Sequence, residues 1–111
     1  MNAFGPLLRK LRERAGLSRR VAIEHLGRQF TTASIANWEN EERTPFPAHL
    51  ATLLGVYNVS TVEIVEVVEA ASRRDPRYAA LVAAWRVVGL TDTDARAATF
   101  KAWAEICVWS V

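Results

Sequence analysis

From Phe4 to Ala15 the apolar positions fall at Phe4, Leu7, Leu8, Leu11 and Ala15, the three-and-four spacing of a helix with one buried face. The opposite face carries Arg9, Lys10, Glu13 and Arg14, and Gly16 is placed to stop the helix. Ser18 is suited to cap a second helix with Val21, Ala22, Ile23 and Leu26 inside, ending at Gly27. Either Thr31 or Thr32 caps a third, in which Ile35 and Trp38 lie three apart on one face. A loop through Glu41, Glu42, Arg43, Thr44 and Pro45 follows. Pro47 then suits the first turn of a fourth helix through Leu50, Leu53 and Leu54, stopped by Gly55. Ser60 opens a fifth helix, and Glu63 three residues on completes a capping box. That helix is expected to bury Val62, Val65 and Val68 and to expose Glu63, Glu66, Glu69 and Arg73, the last two at ion-pair spacing. Asp75-Pro76 reads as a cap followed by proline at the first helical position, and the sixth helix carries Tyr78, Leu81, Val82, Trp85 and Val88 before Gly89. Thr91 or Asp92 caps a last helix running to about Trp109. Apart from a short stretch at 56–59 that could be extended, no segment alternates convincingly. The pattern predicts an all-α chain of seven short helices with short connections.

The ordered motifs add a more specific expectation. They are Leu8-Arg9-x-Leu11-Arg12, Ala15-Gly16-Leu17-Ser18, Leu26-Gly27, Ser34-Ile35-x-Asn37-Trp38-Glu39-Asn40, Arg43-x-Pro45 and Leu50-Ala51-x-Leu53-Leu54-Gly55-Val56. Residues 4–65 thereby resemble the lambda-repressor-like (Cro/cI-type, XRE) helix-turn-helix family of DNA-binding domains. The resemblance implies a five-helix fold with helix 2 at Ser18–Leu26 and a recognition helix at about Thr32–Asn40. A helix about 10–12 Å across fits the major groove of B-DNA. The chain departs from the family pattern by about two extra residues in the turn at 27–31 and by Glu41 where the family has glycine. Either Ala22 or Ile23 occupies the small-residue position of helix 2. A longer turn is expected, with Phe30 against the core and Arg28 on the DNA side.

By that resemblance Thr32, Ala33, Ser34 and Asn37 are the candidate base contacts. Asparagine can bond adenine in two places, and threonine and alanine methyls can touch thymine. Thr32 and Ser34 would serve equally well as helix caps. Arg19, Arg20, Arg28, Arg43 and Asn40 are candidate phosphate contacts, since the guanidinium fork matches phosphate oxygens; a solvated basic face is the plainer reading. The family pairs a helix-1 arginine with the glutamate after helix 3, which here implies a structural ion pair of Arg12 and Glu39. Trp38 is expected in the core rather than as a platform for bases.

Beyond residue 65 the resemblance ends. The last helix has Ala95, Ala98, Ala102, Ile106 and Trp109 on one side and Phe100, Trp103 and Cys107 on a second, leaving a narrow strip of Asp94, Lys101 and Glu105. A helix apolar over most of its circumference needs more than one neighbour. Trp85, Phe100, Trp103, Ile106 and Trp109 are therefore expected at a homodimer interface, where aromatic surface is enriched. Two other readings stand beside it: a subdomain folded back on its own chain, and an apolar effector pocket walled by Trp85 and Trp103. The expected organisation is a DNA-binding domain at 1–59 and a helical extension for dimerisation at 60–111.

Charge supports the division. Of 111 residues, 50% are apolar and 23% charged, with a formal net charge of +2. Residues 1–58 hold eight Lys/Arg against five Glu, and residues 59–111 hold six against seven Asp/Glu. The basic half suits a polyanion. No run approaches the roughly 18–20 apolar residues of a membrane span, and no apolar signal core follows the N-terminus. The lone cysteine, Cys107, and the isolated His25 and His49, both expected at the surface, form no zinc or catalytic constellation, and no cofactor is implied. Neither a nucleophile elbow nor a glycine-rich phosphate loop occurs, so an enzyme is not expected. The expectation is a cytoplasmic, bacterial or phage-encoded, nucleoid-associated regulator. It would bind a pseudo-palindromic operator in double-stranded DNA as a homodimer and act as a repressor. The rival is an antitoxin-type or adaptor module whose apolar C-terminal helices bind a different protein.

Overall fold

Short side chains at the helix starts set most of the boundaries. In the computed structural model, which describes residues 3–27 and 30–108, the helices are α1 (Phe4–Arg14), α2 (Arg19–Leu26), α3 (Thr32–Glu39), α4 (Pro47–Val56), α5 (Thr61–Ser72), α6 (Pro76–Val87) and α7 (Thr93–Val108). The Ser18 hydroxyl accepts from the Val21 amide at 3.2 Å. Ser60 and Glu63 exchange bonds of 3.3 and 2.9 Å in a capping box. Asp75 accepts from the Arg77 amide at 2.9 Å, and Asp92, not Thr91, accepts from the Ala95 amide at 2.8 Å. Each bond satisfies an amide that has no partner within its own helix. Gly55 does not end α4. The helix runs on to Val56, and Asn58 makes the exit with φ +52, a conformation asparagine tolerates better than most residues. The stretch at 56–59 is therefore a helix end and turn, and no strand occurs among the described residues.

Helices α1 to α5 wrap around Phe4, Leu8, Leu11, Ala22, Ile35, Leu50 and Leu53, each at most 2% exposed. Ala22 is fully buried and Ile23 only half so, which puts the small residue, as the helices cross, at position 22. α6 packs on α5, and α7 lies across both α4 and α5. Val65, Val67, Val68, Ala71, Tyr78, Leu81, Trp85, Ala97, Phe100 and Ala104 extend the same core without a break. Buried residues on both sides of the 59/60 boundary thus form one cluster. The radius of gyration of 13.3 Å is that of a single body of this length.

Several inward expectations are corrected. Val62 is 54% exposed because it shares the outer strip of α5 with Glu66 and Glu69, four and seven residues on. Val88 is 74% exposed because it lies past the last turn of α6, where no neighbour reaches. Trp85 and Phe100, expected at a subunit interface, are 3% and 1% exposed within one chain. Both belong to the one buried core cluster, and the Trp85 indole donates to Thr99 Oγ1 at 2.8 Å, tying α6 to α7. Trp103 is half-buried, edge-on to Tyr78 at 5.5 Å. Trp85 is thus a core side chain rather than a pocket wall. The side of α7 that faces solvent is the other one: Ala98, Ala102 and Ile106 are exposed. Trp109 and the Cys107 side chain lie outside the described residues.

Candidate nucleic-acid interface

The start of α3 is free to meet a ligand because its capping is done by others. Thr31 precedes the helix, and its amide donates to Ser34 Oγ at 3.3 Å. Ser34 is thus engaged locally, whereas Thr32 and Ala33 are exposed in the first turn with no such duty. Ile35 and Trp38 point the other way and are 1% and 6% exposed. Asn37 is half-buried, and no hydrogen bond engages its side chain among the described residues. Its carbonyl accepts from the amides of Glu42 and Arg43, at 2.9 and 3.3 Å, which folds the following loop back on the helix end.

The long turn before α3 is held by an aromatic chain. Gly27 turns with φ +105, and Phe30 then packs edge-on to Trp38 at 5.8 Å and to His49 at 4.5 Å. Phe46 closes the other edge of His49 at 5.5 Å. His49 is therefore a half-buried spacer rather than a surface residue, and burial holds its pKa below the ordinary value. His25 is exposed. Arg28 lies outside the described residues.

Beneath α3 sits a charged knot. Arg12 donates to the two Glu39 oxygens at 2.6 and 3.1 Å and to the Leu17 carbonyl at 2.8 Å. Arg19 adds bonds of 3.2 and 3.1 Å to Glu39 Oε1. The Glu39 side chain is 1% exposed, Arg12 10% and Arg19 35%. One carboxylate in the interior thus ties α1, α2 and α3 together. The two arginines share the one buried carboxylate, so the cost of taking it out of water is offset twice. The hydrogen bond to Glu39, more than the coulombic attraction, raises the Arg12 pKa. Tyr57 is buried beside this knot, and its hydroxyl lacks a partner among the described residues. Burial and the Glu39 charge push its pKa well above the usual phenol range.

The remaining candidates lie around the rim. Arg20 is exposed and only 3.9 Å from the exposed Glu24, a weak association. Asn40 and Arg43 are exposed at and after the end of α3. The α3–α4 loop is pinned from elsewhere in the chain. Glu41 takes φ +62 and its Oε1 accepts from the Gly5 amide at 3.1 Å. Gly5 is irreplaceable there, since a Cβ would come within 2.1 Å of the Glu39 carbonyl oxygen. Arg74, just after α5, reaches Glu41 Oε2 at 3.5 Å, the Glu41 carbonyl, and Thr44 Oγ1 at 3.2 Å. Sequence reasoning missed Gly5, Glu41, Arg74 and the Arg19–Glu39 bond. An isolated glycine inside an amphipathic helix was the one available signal. Among the described residues no group of three or more potential metal ligands forms, and no helix is long and apolar enough to cross a membrane.

Thr32 and Ala33 in the first turn of α3, Arg20 in α2 and Arg43 after α3 are all exposed. A family model described as a helix-turn-helix domain matches residues 3–67. No curated protein and no solved structure matches the chain.

Proposed function

We propose that this chain, which belongs to the helix-turn-helix domain family, is a sequence-specific DNA-binding transcriptional regulator that represses by occupying a promoter. The observation that carries the reading is the first turn of α3. Thr32 and Ala33 are exposed and released from capping, while Ile35 and Trp38 anchor the helix from behind. Thr32, Ala33, Ser34 and Asn37 read base edges in the major groove. Arg19, Arg20, Arg28, Asn40 and Arg43 set the register on the phosphates. Arg19 does this while held by Glu39, so one edge of its guanidinium is structural and the rest faces outward.

One such unit reads few bases, and a two-fold pair reads a pseudo-palindrome with half-sites about 34 Å apart. With Trp85 and Phe100 in the core, the homodimer rests on the outer stripe of α7, Ala98, Ala102 and Ile106. The test is selection from random DNA duplexes, followed by binding of the enriched duplex over a salt series and sedimentation of the free protein. An inverted repeat, a steep fall in affinity with salt and a dimeric mass are expected. A monomer that enriches no sequence would displace this reading in favour of a module whose C-terminal helices bind another protein.

A further inference from the structure

The basic residue best placed at the end of the recognition helix, Arg43, sits on a loop that α3 and α4 do not fix by themselves. Residues 40–46 join Glu39 to Pro47, and the corner between α5 and α6 grips four of them. Arg74 donates to the Glu41 carbonyl and to Thr44 Oγ1, and its guanidinium faces the Glu41 carboxylate. The Tyr78 hydroxyl, from the first turn of α6, donates to the Pro45 carbonyl at 2.9 Å in a buried setting. Arg77 lies 4.7 Å over the Phe46 ring. On the other side, the amides of Glu42 and Arg43 close onto the Asn37 carbonyl. Arg43 is thus the exposed apex of a loop held at both ends, its side chain without an ion pair among the described residues.

We propose that Arg74 and Tyr78 are positioning residues for DNA binding, holding the α3–α4 loop so that Arg43 meets the phosphate backbone in register with α3. This rests on the DNA-binding reading above. It assigns the C-terminal helices a part in that binding distinct from self-association. The physical reason is entropy. An unheld seven-residue loop would have to be ordered when DNA binds, and that cost would be taken from affinity. Here the ordering is done during folding, by bonds that leave Arg43 unused. Both halves of the chain are then needed for one phosphate contact.

Tyr78→Phe isolates the effect because it removes one hydrogen-bond donor and no charge. Arg74→Lys keeps the charge and loses the fork. Thr44→Ala removes the Arg74 acceptor at an unburied position and serves if either other variant folds poorly. Each is made alone and with Arg43→Ala. Binding to a mixed-sequence 24-base-pair duplex is measured over a salt series, well below each variant's melting temperature. Each single variant is expected to bind about threefold to tenfold more weakly. Its salt slope should fall toward that of Arg43→Ala, by about one phosphate's worth. In the Arg43→Ala background the same substitutions should change nothing further, since the contact they support is already gone. Unchanged affinity in the single variants overturns the proposal. Equal weakening with and without Arg43 also overturns it, because the corner would then act on DNA directly or through general stability. If the unmodified protein binds no duplex at low salt, the DNA-binding reading itself fails, a result distinct from either.

Discussion

At the scale of single residues, two positions concentrate the constraints around the buried carboxylate of Glu39. Tyr57 brings a hydroxyl into the interior that meets no partner among the described residues. An unsatisfied buried hydroxyl costs about 1–3 kcal/mol, so its removal should not hurt. Tyr57→Phe is expected to leave stability unchanged or raise it by up to about 1 kcal/mol, read as a rise in urea midpoint. A loss above that size would mean the hydroxyl is bonded in solution. Gly5 is the opposite case. A methyl there would collide with the Glu39 carbonyl, backbone that cannot swing away. Gly5→Ala should therefore destabilise the fold by about 3 kcal/mol or more, despite the higher helix propensity of alanine. A variant as stable as the parent would show that α1 and α3 do not approach this closely. Gly5, by its close approach to the Glu39 carbonyl, sets where the end of α3 stands.

At the scale of elements, α3 divides its eight residues between core, cap and exposed surface. Asn37 is the one polar side chain in its middle with no internal bond, and asparagine is a poor helix former there. Asn37→Ala is expected to relax preference at a single base pair, about 1–3 kcal/mol of discrimination, with little change in non-specific affinity. Repeating the duplex selection with the variant checks it; an unchanged site would shift the reading register of α3 by a residue. The start of α5 carries a different constraint. Arg14 from α1 forks onto Glu63, whose carboxyl also closes the cap with Ser60. The Arg14 bond first, then the Ser60 amide, holds the Glu63 pKa near about 2, below its ordinary 4.5. The folded-state pKa is depressed, so this contribution is complete above about 4.5 and fades as pH falls toward about 2. The stability difference between the parent and Glu63→Gln should shrink across that interval in denaturant titrations. A difference that holds constant down to the acid limit would remove the linkage.

At the scale of the whole molecule, the C-terminal helices are part of the body on which the helix-turn-helix stands. α7 lies on α4, and Phe100 and Ala104 belong to the same buried cluster as Leu50 and Leu53. A fragment of residues 1–59 would leave one side of α4 without its cover and the α3–α4 loop without Arg74 and Tyr78. The full chain should melt in one calorimetric transition, while the fragment should lack a cooperative one. Two separated transitions, or a fragment that melts as sharply as the parent, would make the halves independent.

The sequence by itself determined what is local. Apolar spacing placed the seven helices, and Ser18, Ser60 with Glu63, and Asp75-Pro76 fixed their starts, because a cap is settled within a few residues of chain. The ordered motifs also carried the helix-turn-helix family, matched over residues 3–67. What it left open was which of two apolar sides of α7 turns inward, since composition allowed either. Only packing chose Ala97, Phe100 and Ala104 and left Ala98, Ala102 and Ile106 outside. Packing likewise gave Arg19 to Glu39, Gly5 to Glu41 and Arg74 to Thr44. These partners lie 20, 36 and 30 residues apart along the chain. No periodicity or cap encodes such pairs, because their geometry exists only once the helices have closed on one another.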